Sequence, residues 1–315
     1  MLYQWPVKGF WAPFTYDLNL FFGILEWVRL GEAYEGITMW GADDVDFTGP
    51  KQGELGNCYI LAAMGAVAEY PDLIKSVFLT QEKNDAGIYA LKFFVRGKPW
   101  IITIDDTILR YSDGSNYFSM IEDNMWVPLL EKGWAKVKGS YMHTDGGWAQ
   151  NGIRAFTGAP VFEYWVKDVE DTALELFEIM KASNDLGYIM GGGTDGSDTD
   201  LNECNIVAGH AFSMLAAFEL TTGETVDARL YMMRNPWSMT EYNKDWNQDD
   251  AAWTPEYISQ VPNGVDPTTS GDELGIFFVD HEDFMVCFQD FHVGHYRHDE
   301  GYSSNWYDNE DNDKS

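Results

Sequence analysis

An almost unbroken apolar, Ala-rich run spans Tyr59 to Glu69, directly after a turn carrying Gly53, Gly56 and Asn57. A segment apolar on every side reads as a buried helix. Trp126 to Val137 has a different pattern. Leu129, Leu130, Trp134 and Val137 share one face, which predicts an amphipathic helix. A further helix is expected over about Thr172–Ser183, and helical periodicity also shows around Leu18–Leu30. The segments Gly87–Val95 and Trp100–Asp105 alternate apolar and polar residues around Arg96-Gly-Lys-Pro, which predicts a β-hairpin. After the Gly-rich Asp145-Gly-Gly-Trp148, strand-like runs dominate: Gly187–Met190, His210–Phe218, Ala228–Arg234 and Ile276–Val279. A helical half followed by a β-rich, antiparallel half is an α+β arrangement. We place the boundary at this Gly-rich point, giving residues 1–148 and 149–296, followed by an acidic, disordered tail over 297–315. There is no internal repeat.

Composition supports real cores. Of 315 residues, 45% are hydrophobic and 16% aromatic, so global disorder is excluded. The formal charge of -31 changes the picture more. The segment Asp299–Ser315 contributes -5, and the other -26 is spread over the body. Such a field repels nucleic acid and anionic membranes and suits cations or basic partners. No apolar run reaches the roughly 20 residues of a membrane span, and the N-terminus lacks the pattern of a secretory signal. Three cysteines, Cys58, Cys204 and Cys287, make a disulfide framework an unfavoured expectation and a reducing, cytoplasmic setting the favoured one.

The candidate chemistry starts at Cys58. It sits where a glycine turn meets a helix start, and there unpaired N–H groups and the helix dipole favour a thiolate below the ordinary thiol pKa of about 8.5. A nucleophilic thiol needs a base and a group that orients the base. Of six histidines, His210 follows Ala208-Gly209 at the start of a strand-like run, and Asn235 ends another in Arg234-Asn235-Pro236-Trp237. Adjacent antiparallel strands would set the two side by side, with the Asn oxygen fixing the imidazole tautomer. His292, His295 and His298 have a spacing open to metal binding, but no second ligand group accompanies them, and surface histidines are expected. His143 and His281 carry no suggestive setting. The loop Gly191–Asp200 is acidic and flexible. Asp198, Asp200 and Asn202 imitate the start of a calcium loop, but Glu203 and Gly209 stand where Gly and Glu are needed, so an EF-hand is rejected.

The chain resembles the calpains, papain-related cysteine proteases. Gln52-Gly-Glu-Leu-Gly-Asn-Cys-Tyr-Ile-Leu-Ala-Ala is similar to their nucleophile segment, Gly209-His-Ala-Phe-Ser to their histidine segment, and Arg234-Asn-Pro-Trp to their asparagine segment. Leu129–Tyr141, Phe156-Thr-Gly158, Gly275-Ile-Phe-Phe and Asp283-Phe284 match between and after these, so the resemblance runs collinearly from about Gly49 to His292. It implies a two-lobed papain-like core with the site in the cleft between lobes. It also implies a protein or peptide substrate and an intracellular endopeptidase. Cys58 would be the nucleophile, His210 the general base and later acid, and Asn235 the orienting group. Gln52 would donate to the oxyanion with the Cys58 backbone N–H, Gly209 would lie in the cleft, and Trp237 would shield the His–Asn bond. Asn57, Tyr59 and Ser238 depart from the family's usual Asp, Trp and Gly. A non-catalytic scaffold for a basic partner is the alternative, and an acyl transferase with the same triad is a third.

The resemblance also implies calcium in each lobe as a regulator, while the chemistry itself requires no cofactor. The matching positions are poor ligands: Gly49, Asn124, Gln248, Leu274 and Ile276, with Glu241 alone retained as an acid. Calcium takes about six to eight oxygens, so family-type sites are expected to be absent. Neighbouring carboxylates leave room for a displaced site.

Overall fold

The computed structural model describes residues 25–168 and 173–296. The first strand, β1 (Leu25–Arg29), pairs antiparallel with β4 (Thr107–Tyr111). Its residues were expected to continue a helical stretch. They are extended instead, because their backbone is paired along its length with β4. The rest of that expected stretch, Leu18 to Ile24, lies outside the described residues.

Helix α1 (Cys58–Ala68) is the centre of the first half. Every residue after Cys58 in it is buried, as an all-apolar helix requires. Helix α2 (Pro71–Val77) follows, started by a proline at its first position. The expected hairpin forms from β2 (Ile88–Val95) and β3 (Lys98–Asp105), in register from Ile88↔Asp105 to Val95↔Lys98. Helix α3 (Trp126–Lys138) ends at Gly139, whose left-handed φ of 99° supplies the stop. Helix α4 (Ala149–Thr157) packs so tightly on α1 that a Cβ on Gly152 would lie 2.5 Å from the Ala63 Cβ. One apolar cluster joins these elements and runs on through Phe156 and Val161 to Ile189.

The second half is a six-stranded antiparallel sheet in the order β5-β10-β6-β7-β8-β9. Its members are β5 (Val161–Trp165), β6 (Ile189–Gly193), β7 (Ala211–Thr222), β8 (Thr225–Arg234), β9 (Ile276–Asp280) and β10 (Asp290–Gly294). Strand side chains alternate faces, and both faces here are covered. Tyr231, Met233, Phe277 and Val279 face helices α5 (Ala173–Asp185) and α6 (His281–Cys287); Leu230, Met232, Ile276 and Phe278 face Trp253 and Val261. Burial on both sides explains the near-continuous apolar runs.

Two expectations fail. Cys204 and Cys287 are joined as a disulfide, Cα–Cα 6.0 Å, fastening the 195–209 loop to the end of α6. An odd cysteine count concealed this, because only the fold brings residues 83 apart in sequence into contact. His292 is not a surface residue: it is 2% exposed, on an interior strand of the sheet. His295 packs between Phe162 and Tyr188, and His298 lies outside the described residues, as does the 297–315 segment. Among the described residues, no helix is long and apolar enough to cross a membrane.

Candidate active site

The segment before α1 is a tightly fitted strap. Gly53 passes so close to Phe118 that any Cβ would meet its carbonyl oxygen at 1.6 Å, so only glycine fits. Asn57 caps the helix by position, but its side chain points elsewhere. Its Nδ2 donates to Glu131 Oε1 (2.6 Å), and Glu131 Oε2 accepts from the Ser119 backbone N–H (3.0 Å). Burial pushes the Glu131 carboxyl up, and its two hydrogen bonds pull the other way. Asn57 and Glu131 thus fix the strap from behind.

Cys58 is the first residue of α1, half-buried and free. Its surroundings differ from expectation. The thiol is pushed up to about 11, first by burial and also by the charges of Asp198 and Asp145, while the backbone N–H groups of Ala211 and Tyr59 pull it down. The helix start is present, but removal from water outweighs it.

The surroundings of His210 are wired more fully. Gly209, at φ +57°, turns the chain into β7 where a Cβ would meet the Gly196 carbonyl at 2.6 Å. His210 follows, buried. Its Nε2 lies 2.8 Å from Asn235 Oδ1. The Asn235 amide can adopt only one orientation: Nδ2 donates to the Met239 carbonyl (2.8 Å), and Oδ1 accepts from the Trp237 N–H (2.9 Å). An oxygen therefore faces His210, Nε2 carries the proton, and Nδ1 is left with a lone pair. Burial lowers His210 to about 4, opposed by the Asn235 hydrogen bond and the Asp198 charge.

Trp237, 36% exposed, lies over the imidazole with ring centroids 4.7 Å apart. Its Nε1–H donates to Gln52 Oε1 (2.9 Å), and Gln52 Nε2 donates to the Leu55 carbonyl (2.8 Å). Gln52 also donates its backbone N–H to the Pro236 carbonyl (2.9 Å). The segments carrying His210–Trp237 and Gln52–Cys58 are thus joined directly.

Sequence reasoning missed a second joint. Arg234 is fully buried, and its guanidinium donates to the carbonyls of Pro50 (2.9 Å) and Thr48 (2.6 Å). Burial lowers it to about 10, offset by Asp46 and Glu122. A charged residue ending an apolar strand was the available signal. Ser213 Oγ on β7 donates to the Ala62 carbonyl of α1 (2.7 Å), a third link.

Cys58 and His210 line one cleft of about 260 Å³, together with Gly147, Trp148, Gln150, Gly193, Asp290 and His292. Neither Gln150 nor the Asp290–His292 pair was foreseen. The positions matched to calcium sites do not fit that ion. A Cβ at Gly49 would touch the Trp126 ring, Gln248 turns a donor toward Asp272 Oδ2, and Leu274 and Ile276 offer hydrocarbon. Asn124 keeps an unpartnered buried oxygen, and Glu241 uses its backbone carbonyl on Asn205. Among the described residues, no group of three His, Cys, Asp or Glu side chains is placed to hold a metal ion.

An α+β core of papain-like type, with a free cysteine at a helix start and a His–Asn pair across the cleft, has the make-up of a cysteine peptidase. The sequence model of the calpain family cysteine proteases matches residues 21–295, and the chain belongs to that family. It is 29% identical over 287 residues to the calpain-type cysteine protease DEK1 of Zea mays, covering 86% of this chain and 13% of that protein. It is 30% identical over 282 residues to calpain-A of Drosophila melanogaster, covering 85% and 32%. It is 29% identical over 277 residues to the calpain-2 catalytic subunit of Rattus norvegicus, covering 83% and 37%. The chain therefore spans a minor part of the length of each of these relatives.

Proposed function

We propose that the protein is an intracellular endopeptidase that hydrolyses peptide bonds through Cys58, His210 and Asn235. The observation that carries the reading is the 2.8 Å bond from His210 Nε2 to an Asn235 oxygen of fixed orientation, which leaves Nδ1 as the acceptor in the cleft that Cys58 lines. Both groups are neutral at rest, since the thiol is raised and the imidazole lowered. The Cys58 proton passes to Nδ1 as sulfur attacks the substrate carbonyl. The oxyanion meets the Cys58 N–H, which as the first of a helix has no intrahelical acceptor, and the second N–H of the Gln52 amide. One such donor is worth roughly 3–4 kcal/mol of barrier. The imidazolium then protonates the leaving amine, and water attacks the thioester with His210 as base. The cytoplasmic part of this reading has lost one support, because two of the three cysteines are paired.

The alternative is a scaffold that keeps the fold and holds a basic partner on its acidic surface. It draws on the charge of -31 and on the unarmed resting thiol. Stoichiometric labelling of Cys58 by a peptidyl thiol electrophile, with cleavage of an unfolded protein that Cys58→Ala abolishes, is expected of the peptidase. A thiol that stays unlabelled and no cleavage would leave the scaffold.

A further inference from the structure

The cleft beside Cys58 ends on polar groups that the catalytic steps do not use. Asp290 and His292, alternate residues of β10, are each 2% exposed. Asp290 Oδ2 and both ring nitrogens of His292 have no hydrogen-bond partner. The two side chains face each other at 3.7 Å, Nδ1 to Oδ1, beyond hydrogen-bond length. Gln150 Oε1, on the same cleft, is also without a partner, its amide nitrogen being committed to Glu163 (3.0 Å). Buried polar groups are nearly always satisfied, and a carboxylate oxygen left alone costs several kcal/mol. No Lys or Arg of the described residues lines this cleft. Gly193, the register partner of Asp290 on β6, lets the two strands close here: a Cβ on it would stand 2.9 Å from Asp290 Oδ2. Orphaned acceptors share one place on a cleft without Lys or Arg, and the imidazole of His292 is the basic group facing the carboxylate.

We propose that this cleft takes a cationic substrate side chain, arginine or lysine, whose nitrogen donors pair with Asp290 Oδ2 and whose stem lies along Gly193. The rest of the sequence position follows from the peptidase reading above: with Cys58 and His210 on the same cleft, the cation belongs to a residue close to the bond under attack. An apolar side chain entering instead would leave the buried carboxylate oxygen still without a partner, so arginine is favoured over leucine.

The test is calorimetry on the Cys58→Ala chain, which keeps the cleft and removes the chemistry, with blocked hexapeptides carrying Arg or Leu at one position at a time. At one position the Arg peptide is expected to bind about tenfold tighter or more. Both Asp290→Asn and Gly193→Ala are expected to bring that ratio below about threefold, with Arg at the outermost positions controlling for the overall charge. Where Asp290→Asn does not fold, Gly193→Ala carries the test, since it keeps both buried side chains and acts only by pressing a methyl group against the carboxylate. Equal affinity at every position, tighter binding of leucine, or a preference that survives both substitutions overturns the proposal. Hydrolysis by the Cys58 form is read separately. An inert protein that still selects arginine refutes the peptidase reading and leaves the cation pocket standing. An active protein without the preference does the reverse.

Discussion

The two sides of the cleft are built differently. On the β-sheet side, His210 is held by Asn235, which is itself held by Met239 and Trp237, and Trp237 reaches across to Gln52. Apart from His210 Nδ1, each side-chain polar atom in that chain has a partner, and the imidazole can use only one tautomer. On the helical side, Cys58 has a fixed backbone and little else. Asn57 beside it turns away to Glu131, and the thiol is raised by burial. In the proposed peptidase mechanism the base is therefore organised before substrate arrives, while the nucleophile is only positioned. Acid–base geometry needs several side chains from distant strands, whereas a sulfur nucleophile needs only to stand at a helix start and lose a proton when attack begins.

The contrast is tested most severely by deletion. Cys58→Ala and His210→Ala should each lower kcat/KM by at least about 10⁴-fold, since a triad acts as a unit. Asn235→Ala should cost less, about 10²-fold, because the base stays present but free to turn. Steady-state rates on one peptide decide the order; a larger loss at Asn235 than at His210 would reverse the assigned roles.

The paired cysteines should behave in the opposite way to Cys58. Cys204→Ser or Cys287→Ser is expected to remove about 2–4 kcal/mol of stability, seen as a lower denaturation midpoint, with kcat within about twofold at low temperature. Equal loss of activity in all three cysteine variants would mean that a fold effect had been mistaken for chemistry.

A pH profile sharpens the comparison. With His210 lowered to about 4 and Cys58 raised to about 11, kcat/KM should hold from about pH 5 to pH 10 and fall on the acid side near 4. An acid limb at the ordinary histidine value near 6.5 would show that the imidazole is not sealed in the working enzyme. The same shift has a stability consequence. The folded imidazole binds its proton more weakly than the unfolded one, so unfolding takes up a proton and stability falls as pH drops from about 6.5 toward 4. Thermal unfolding of wild type against His210→Gln across that window reads the difference.

The smallest expected effect is that of calcium. Gly49, Gln248, Leu274 and Ile276 supply no charged ligand, so a chelator should change the rate by less than about twofold. Saturable binding of two ions coupled to a large rise in rate would sink this expectation.

Local pattern carried much of the outcome. The periods of Tyr59–Glu69, Trp126–Val137 and the Gly87–Asp105 hairpin predicted elements that match α1, α3 and the β2–β3 pair to within a few residues. These segments bury one face or all faces in a way their own residues state. Cys58, His210 and Asn235 could be singled out along the chain as candidates, because the fitted turn around Gly53 and the glycine before His210 leave a local signature. Residues 25–29 were misread, since five residues cannot show whether a helix face or a partner strand will cover them. The 204–287 disulfide, the Arg234 bridge to Thr48 and Pro50, and the Asp290–His292 end of the cleft were invisible along the chain. Each depends on which distant backbone or side chain arrives within bonding distance, and on how much water is left there. The same holds for the thiol: sequence gave Cys58 a helix start that favours the anion, and only the packed structure decided that burial would outweigh it.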